Sequence, residues 1–267
     1  MAQLAKLRAL VQQDRLIATV LIAATLVQGG LYMVIFPPWQ APDETSHFQA
    51  VDMLVKLGHF ARWDDYKKTP LDAEFVNSLR GSRFWEYRNL EPPEASLLNA
   101  QPTFFDVAGI STPINAENYP QLYYWILTGF YFLTAPGIFI KHYTLRFLSV
   151  VLLAIIVWMG WQISNHLFPQ DRILAVSAPL ALVFWPMHIA INSAVTSDVL
   201  AELVATATFL TLVVGFKFRF NSWHVAGLLL LLVAGIYTKR TTLFLIPVVM
   251  MALVLYWIRK NDKAIRF

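Results

Sequence analysis

The chain predicts an all-α polytopic membrane protein, and three observations carry that expectation. Of its 267 residues 57% are hydrophobic and 14% charged, with a mean hydropathy of +0.51, outside the usual balance of a soluble domain. Apolar runs long enough to cross roughly 30 Å of hydrocarbon recur along it. Lys and Arg gather at the ends of those runs, where they act as topology determinants. About six transmembrane helices and one re-entrant or interfacial helix are expected. A large first extracytoplasmic loop carries amphipathic juxtamembrane helices. The division is 1–15 as a cytoplasmic N-terminus, 16–36 as the first transmembrane helix, 37–144 as the extracytoplasmic loop with juxtamembrane and half-inserted helices, 145–258 as a helical membrane bundle, and 259–267 as a cytoplasmic tail.

Run 16–36 carries no formal charge and ends in Pro37-Pro38-Trp39 without a small-residue cleavage site, so it reads as a permanent helix rather than a signal peptide. Residues 42–58 then show helical spacing of Phe48, Val51, Leu54 and Val55, with Asp52 and Lys56 as an i,i+4 pair. Such an amphipathic helix is expected on the membrane surface. Residues 62–112 contain Pro70, Pro92, Pro93 and Pro102 and hold no period, which predicts loop with short helices. Further apolar runs lie at 122–140, 145–168, 173–191, 199–216, 225–237 and 241–258. If all of them cross from a cytoplasmic N-terminus, Lys217, Arg219 and the basic tail fall outside, against the positive-inside tendency. Making 122–140 the half-inserted helix, on the strength of Gly129, Pro136 and Gly137, restores the pattern. The same choice puts Asp198, Lys239 and Arg240 on the outer side with Asp43 and Glu44.

Composition also excludes chemistry. There is no cysteine, so disulfides, thiolate metal sites and cysteine nucleophiles are absent. No phosphate-cradling glycine loop, dinucleotide fingerprint or Ser/His/Asp nucleophile pattern is evident, which argues against nucleotide-driven reactions. A pI near 9.3 suits nucleic acid in principle. Because the basic residues flank apolar runs, the partner they indicate is the lipid bilayer and not nucleic acid.

Three polar constellations remain. In Pro42-Asp43-Glu44-Thr45-Ser46-His47, Asp43 and His47 are one helical turn apart, with Glu44 about 100° around. One carboxylate there suits a general base and its neighbour an acceptor or divalent metal, with His47 a further ligand. The plainer reading is a favourable helix start, proline followed by two acids. In Asn192-Ser193-Ala194-Val195-Thr196-Ser197-Asp198, Asp198 and Glu202 share a helix face, and an acid in a membrane helix usually faces a cavity or partner. Capping by Thr196 or Ser197 explains part of that motif equally well. In Thr238-Lys239-Arg240-Thr241-Thr242, outward cations suit an anionic ligand such as a phosphate, and headgroup contact is the alternative. Arg146 is a weaker candidate of the same kind.

The order of these features, with Tyr119-Pro120-Gln121-Leu122-Tyr123-Tyr124 and Gly235-Ile236-Tyr237-Thr238-Lys239 between and after them, resembles the N-terminal half of the GT-C membrane glycosyltransferases. The likeness is greatest to the family-39 type and to a related bacterial membrane family with a Pro-Asp-Glu-x-x-His signature. The resemblance implies sugar transfer from a polyprenyl-phosphate donor at the outer face of a bacterial inner membrane. Asp43, with Glu44 beside it, would be the first-loop catalytic acid and Asp198 the second. Arg146, Lys239 and Arg240 would hold the donor phosphate. His47 and Glu202 would serve a metal or the acceptor. Members of that family carry further helices, so the resemblance also implies either other membrane subunits supplying them or a non-catalytic subunit of a larger complex built on this fold.

Overall fold

The computed structural model describes residues 2–107, 109, 110 and 112–261, with side chains from residue 12 onward. Within the expected 1–15 and 259–267 segments, residue 1, the side chains of 2–11 and residues 262–267 lie outside the described residues. The described chain is helical throughout, and its only strand-like feature is an isolated bridge between Pro70 and Thr103.

Among the described residues, four helical segments are long and apolar enough to cross a membrane: Gln12–Ile35, Ile138–Leu167, Asp198–Phe218 and Arg240–Asn261. A fifth arises if Arg172–Phe184 and Pro186–Asn192, bent by 61°, form one broken span. Against the six crossings expected, length and composition therefore support four or five. The helix Ser222–Thr238 has 17 residues, about 25 Å of rise, and falls short of the roughly 30 Å hydrocarbon layer.

Local chemistry explains where the elements stop. Helix α1 (Ala2–Ile35) ends where Pro37 and Pro38 offer no N–H to the carbonyls one turn back. Helix α2 (Glu44–Leu57) ends at Gly58, whose φ of 72° sits in the left-handed region and returns its N–H to Leu54 O at 3.0 Å. The 62–112 stretch holds only short helices, α3 (Trp63–Lys68), α4 (Ala73–Gly81) and α5 (Ala95–Asn99), with 3-10 turns at Glu86–Arg88 and Phe104–Asp106. Helix α6 (Leu122–Leu133) stops before Pro136 and Gly137, and α7 (Ile138–Leu167) starts seven residues ahead of the expected 145. The run 173–191 divides into α8 (Arg172–Phe184) and α9 (Pro186–Asn192), because Trp185 precedes a proline and takes an extended backbone, φ −82° and ψ 106°. Helices α10 (Asp198–Phe218), α11 (Ser222–Thr238) and α12 (Leu245–Asn261) complete the chain, with a 3-10 segment Arg240–Phe244 before α12.

Packing divides the chain into two compact units. The first comprises α1 up to Val27, Leu152–Trp185 and residues 200–261. One of its clusters gathers Leu21, Val157, Trp161, Ala175 and Val183, and another gathers Leu212, Leu228 and Val249. In its α11–α12 hairpin, a methyl group at Gly235 would stand 2.9 Å from Thr242 Oγ1, so that close approach requires glycine.

The second unit comprises Gln28–Val151 and Pro186–Val199. Helix α2 lies inside it, against α6, with every residue from Glu44 to Leu54 buried. This differs from a surface helix with one apolar face. The expected Asp52–Lys56 pair forms at 2.7 Å, and Lys56 also reaches Asp72 at 2.9 Å. Phe48 and Phe75 pack edge-on against Trp39, with ring centroids 5.0 and 5.1 Å away, so aromatic residues far apart in sequence meet around Phe48 of α2.

Candidate functional site

The second unit carries the first Asp-Glu element, and the two acids have opposite environments. Glu44 is fully buried, whereas Asp43 is exposed. Arg146 donates to Glu44 through Nε (2.7 Å, to Oε1) and Nη2 (2.6 Å, to Oε2), the side-by-side geometry that makes Arg–carboxylate pairs strong. Val195 N donates to Oε1 at 3.1 Å and Trp39 N to Oε2 at 3.1 Å, while His142 Nε2 stands 3.2 Å from Oε1. Burial raises the Glu44 carboxyl, but His142 and Arg146 outweigh it and hold the group well below its ordinary range.

The remaining N–H groups of Arg146 donate to Met33 O (2.8 Å), Phe36 O (2.7 Å) and Pro37 O (3.2 Å). The Met33 carbonyl would normally accept from residue 37 of the same helix, and proline there has no N–H to give. Arg146 thus satisfies the frayed end of α1. All five guanidinium donors are engaged within the protein, and the side chain is 1% exposed. The cation expected to meet a phosphate is spent on Glu44 and on backbone.

Asp43 sits at the N-cap of α2 with φ 54° and makes no side-chain capping bond, so helix capping does not explain it. Trp39, fully buried, has φ 69°. Two non-glycine residues in the left-handed region within one turn cost on the order of 1–3 kcal/mol each and persist only where surroundings over-determine them. Glu44 supplies part of that determination through Trp39 N. Arg88, which sequence reading left inside an aperiodic loop, supplies more. Its Nη2 donates to Trp39 O at 3.0 Å and its Nη1 to Gln40 Oε1 at 2.9 Å, and its guanidinium lies over the Phe84 ring at 4.0 Å. Burial lowers the Arg88 guanidinium from its ordinary value, while the neighbouring Glu44 and Asp43 carboxylates act to raise it.

His47 is buried, and its Nδ1 lies 2.9 Å from the Tyr124 hydroxyl, with the rings stacked at 14°. Tyr124 also interacts with Ser197, so the 192–198 turn rests on that tyrosine as well as on Glu44. Asp198, part-buried at the start of α10, accepts from Thr196 Oγ1 at 3.0 Å, and its N–H donates back to that oxygen at 3.3 Å. The 43–47 and 192–198 motifs are therefore joined in one unit. Glu202, Lys239 and Arg240 belong to the other unit, where Glu202 and Lys239 are half-buried and Arg240 is exposed. Among the described residues no three His, Asp or Glu side chains gather closely enough to hold a metal ion.

Fold and site together define a class only: an all-helical protein with apolar helices of membrane-spanning length and a buried Glu–Arg clamp under an exposed aspartate. No family model, no curated protein and no solved structure matches the chain.

Proposed function

We propose that the chain is a membrane glycosyltransferase-like protein that takes a sugar from a polyprenyl-phosphate donor at the extracytoplasmic face of a bacterial inner membrane. In this reading the N-terminus is cytoplasmic, six segments cross, and α6 is half-inserted. The observation that carries it is Asp43, an exposed carboxylate held in left-handed backbone beside a carboxylate that is fully buried and satisfied. The acceptor hydroxyl attacks the anomeric carbon and its proton passes to Asp43. The bond from that carbon to the phosphate oxygen breaks, and the electron pair leaves with the phosphate. Asp198 is the second acid, with His47 and Glu202 toward the acceptor. Lys239 and Arg240 are the cations for the leaving phosphate. Glu44 and Arg146 act here as the clamp that holds the 37–43 turn.

Replacing Asp43 tests this directly. Asp43→Gly removes the carboxylate and suits a positive φ better, so it is expected to leave unfolding unchanged or raised by a few tenths to about 1 kcal/mol. Transfer from a polyprenyl-phosphate sugar in proteoliposomes should nevertheless fall by about 10²-fold or more, and by a similar factor in Asp43→Asn. Full transfer by either variant would end the proposal. A second reading, a non-catalytic subunit of a larger membrane complex, draws support from the engagement of Glu44 and Arg146 with each other. It predicts that both Asp43 variants keep every property of the assembly.

A further inference from the structure

We infer that Arg88 is a positioning residue for Asp43, holding the strained 39–43 turn at polar groups that the Glu44 clamp does not reach; this rests on the reading of Asp43 given above. The turn has two left-handed residues, Trp39 and Asp43, one at each end. Glu44 holds it through its carboxylate at Trp39 N and through its own N–H, which donates to Ala41 O at 3.3 Å. Two further polar groups of the turn, Trp39 O and the Gln40 side-chain carbonyl, both accept from one guanidinium, nearly fifty residues further along the chain. That spacing needs a planar fork, which a lysine ammonium does not provide. Phe84 stacks under the fork and Asn89, itself at φ 52°, follows it, so Arg88 is fixed before it meets the turn. Releasing it leaves two unfavourable backbone conformations with two fewer hydrogen bonds to hold them. Asp43, lacking a side-chain capping bond, is then tied to α2 through its carbonyl, which accepts from His47 N at 3.0 Å, while the turn before it loosens.

Hydrogen exchange on the full chain in nanodiscs reads this without reference to any reaction. In Arg88→Met, and in Gln40→Ala, which leaves the arginine intact, amides of 37–47 are expected to exchange about tenfold faster. Those of 73–81 should keep their protection, and added guanidinium ion should restore 37–47 in Arg88→Met. Arg88→Lys should behave as Arg88→Met does. Unchanged exchange in 37–47 would overturn the inference, as would equal loosening of 73–81, which would make Arg88 a general brace. On the same preparations kcat should fall with KM unchanged. A turn that loosens in a wild-type-folded chain showing no transfer would keep the positioning role while removing the glycosyltransferase reading.

Discussion

Glu44→Gln leaves the Arg146 guanidinium buried without a counter-charge, because the three backbone carbonyls it also binds carry none. The expected loss is about 3–5 kcal/mol, seen as a lower unfolding midpoint in detergent. Joint replacement of both partners by methionine should recover much of it. The same pair sets a pH dependence. The folded carboxyl is held below its ordinary value of 4.5, so the unfolded chain takes up the proton first as acid is added. The contribution is therefore complete above the ordinary carboxyl range and declines as pH falls through it toward the folded value. Midpoints followed from neutral pH downward should show that decline in the wild type and a shallower one in Glu44→Gln. At this scale the sequence marked Asp43, Glu44 and Arg146 as unusual, but it did not sort them. Which acid is enclosed depends on the carbonyls left at the end of α1 and on Val195, groups that carry no local signature. Arg88 went unnoticed for the same reason, since its partners at Trp39 and Gln40 are far away in sequence.

Helix α1 and helix α7 meet where Gly29 faces Val150, and a methyl group at residue 29 would stand 2.8 Å from Val150 Cγ1 and 3.2 Å from Cγ2. Gly29→Ala is expected to destabilise the protein by about 1–3 kcal/mol. Adding Val150→Ala, which removes both clashing methyls, should restore the contact, and a double-mutant cycle on thermal unfolding reads the coupling. The N-terminus of α7 has a second anchor, Glu74 of α4, whose Oε1 accepts from Ile138 N at 2.8 Å. Asp52 accepts from the Tyr131 hydroxyl at 2.6 Å, and that hydroxyl accepts from Lys141 Nζ at 3.1 Å, so α2, α6 and α7 are linked nearby. Glu74→Ala should raise exchange of the first α7 amides while Glu74→Gln, still an acceptor, keeps them protected. Element limits were legible where a residue acts on its own backbone, as at Gly58 and Pro37, whereas the expected 122–140 segment ran through Pro136 and Gly137, where the structure ends α6 and begins α7. The bend at Trp185 was missed because apolar periodicity runs through it unbroken, and only Pro186 signals the change. The burial of α2 was missed because Phe48 and its neighbours meet rings supplied by Phe75 and Tyr131, which no window of sequence contains.

At the scale of the whole molecule, length and composition leave α11 as the segment that decides the topology. Seventeen residues give about 25 Å, slightly less than the hydrocarbon layer, which a span can meet by local thinning of the bilayer or by flanking cations that reach out of it. The flanks of α11 are suited to that: Lys217 and Arg219 precede it, and Lys239 and Arg240 follow it. If it crosses, the two basic pairs lie on opposite sides, and the outer pair is the one proposed for the phosphate. The chain has no cysteine, so single cysteines at exposed positions report their side without background. Arg219→Cys, Arg240→Cys and Trp63→Cys in intact cells should divide under a membrane-impermeant maleimide. Residues 63 and 240 are expected to react from outside, and residue 219 only after permeabilisation. Protection of both 219 and 240 until permeabilisation would show that α11 does not cross and that both of its ends are cytoplasmic. The Lys239–Arg240 pair would then fall on the side opposite to Asp43, and a donor phosphate could not be shared between them.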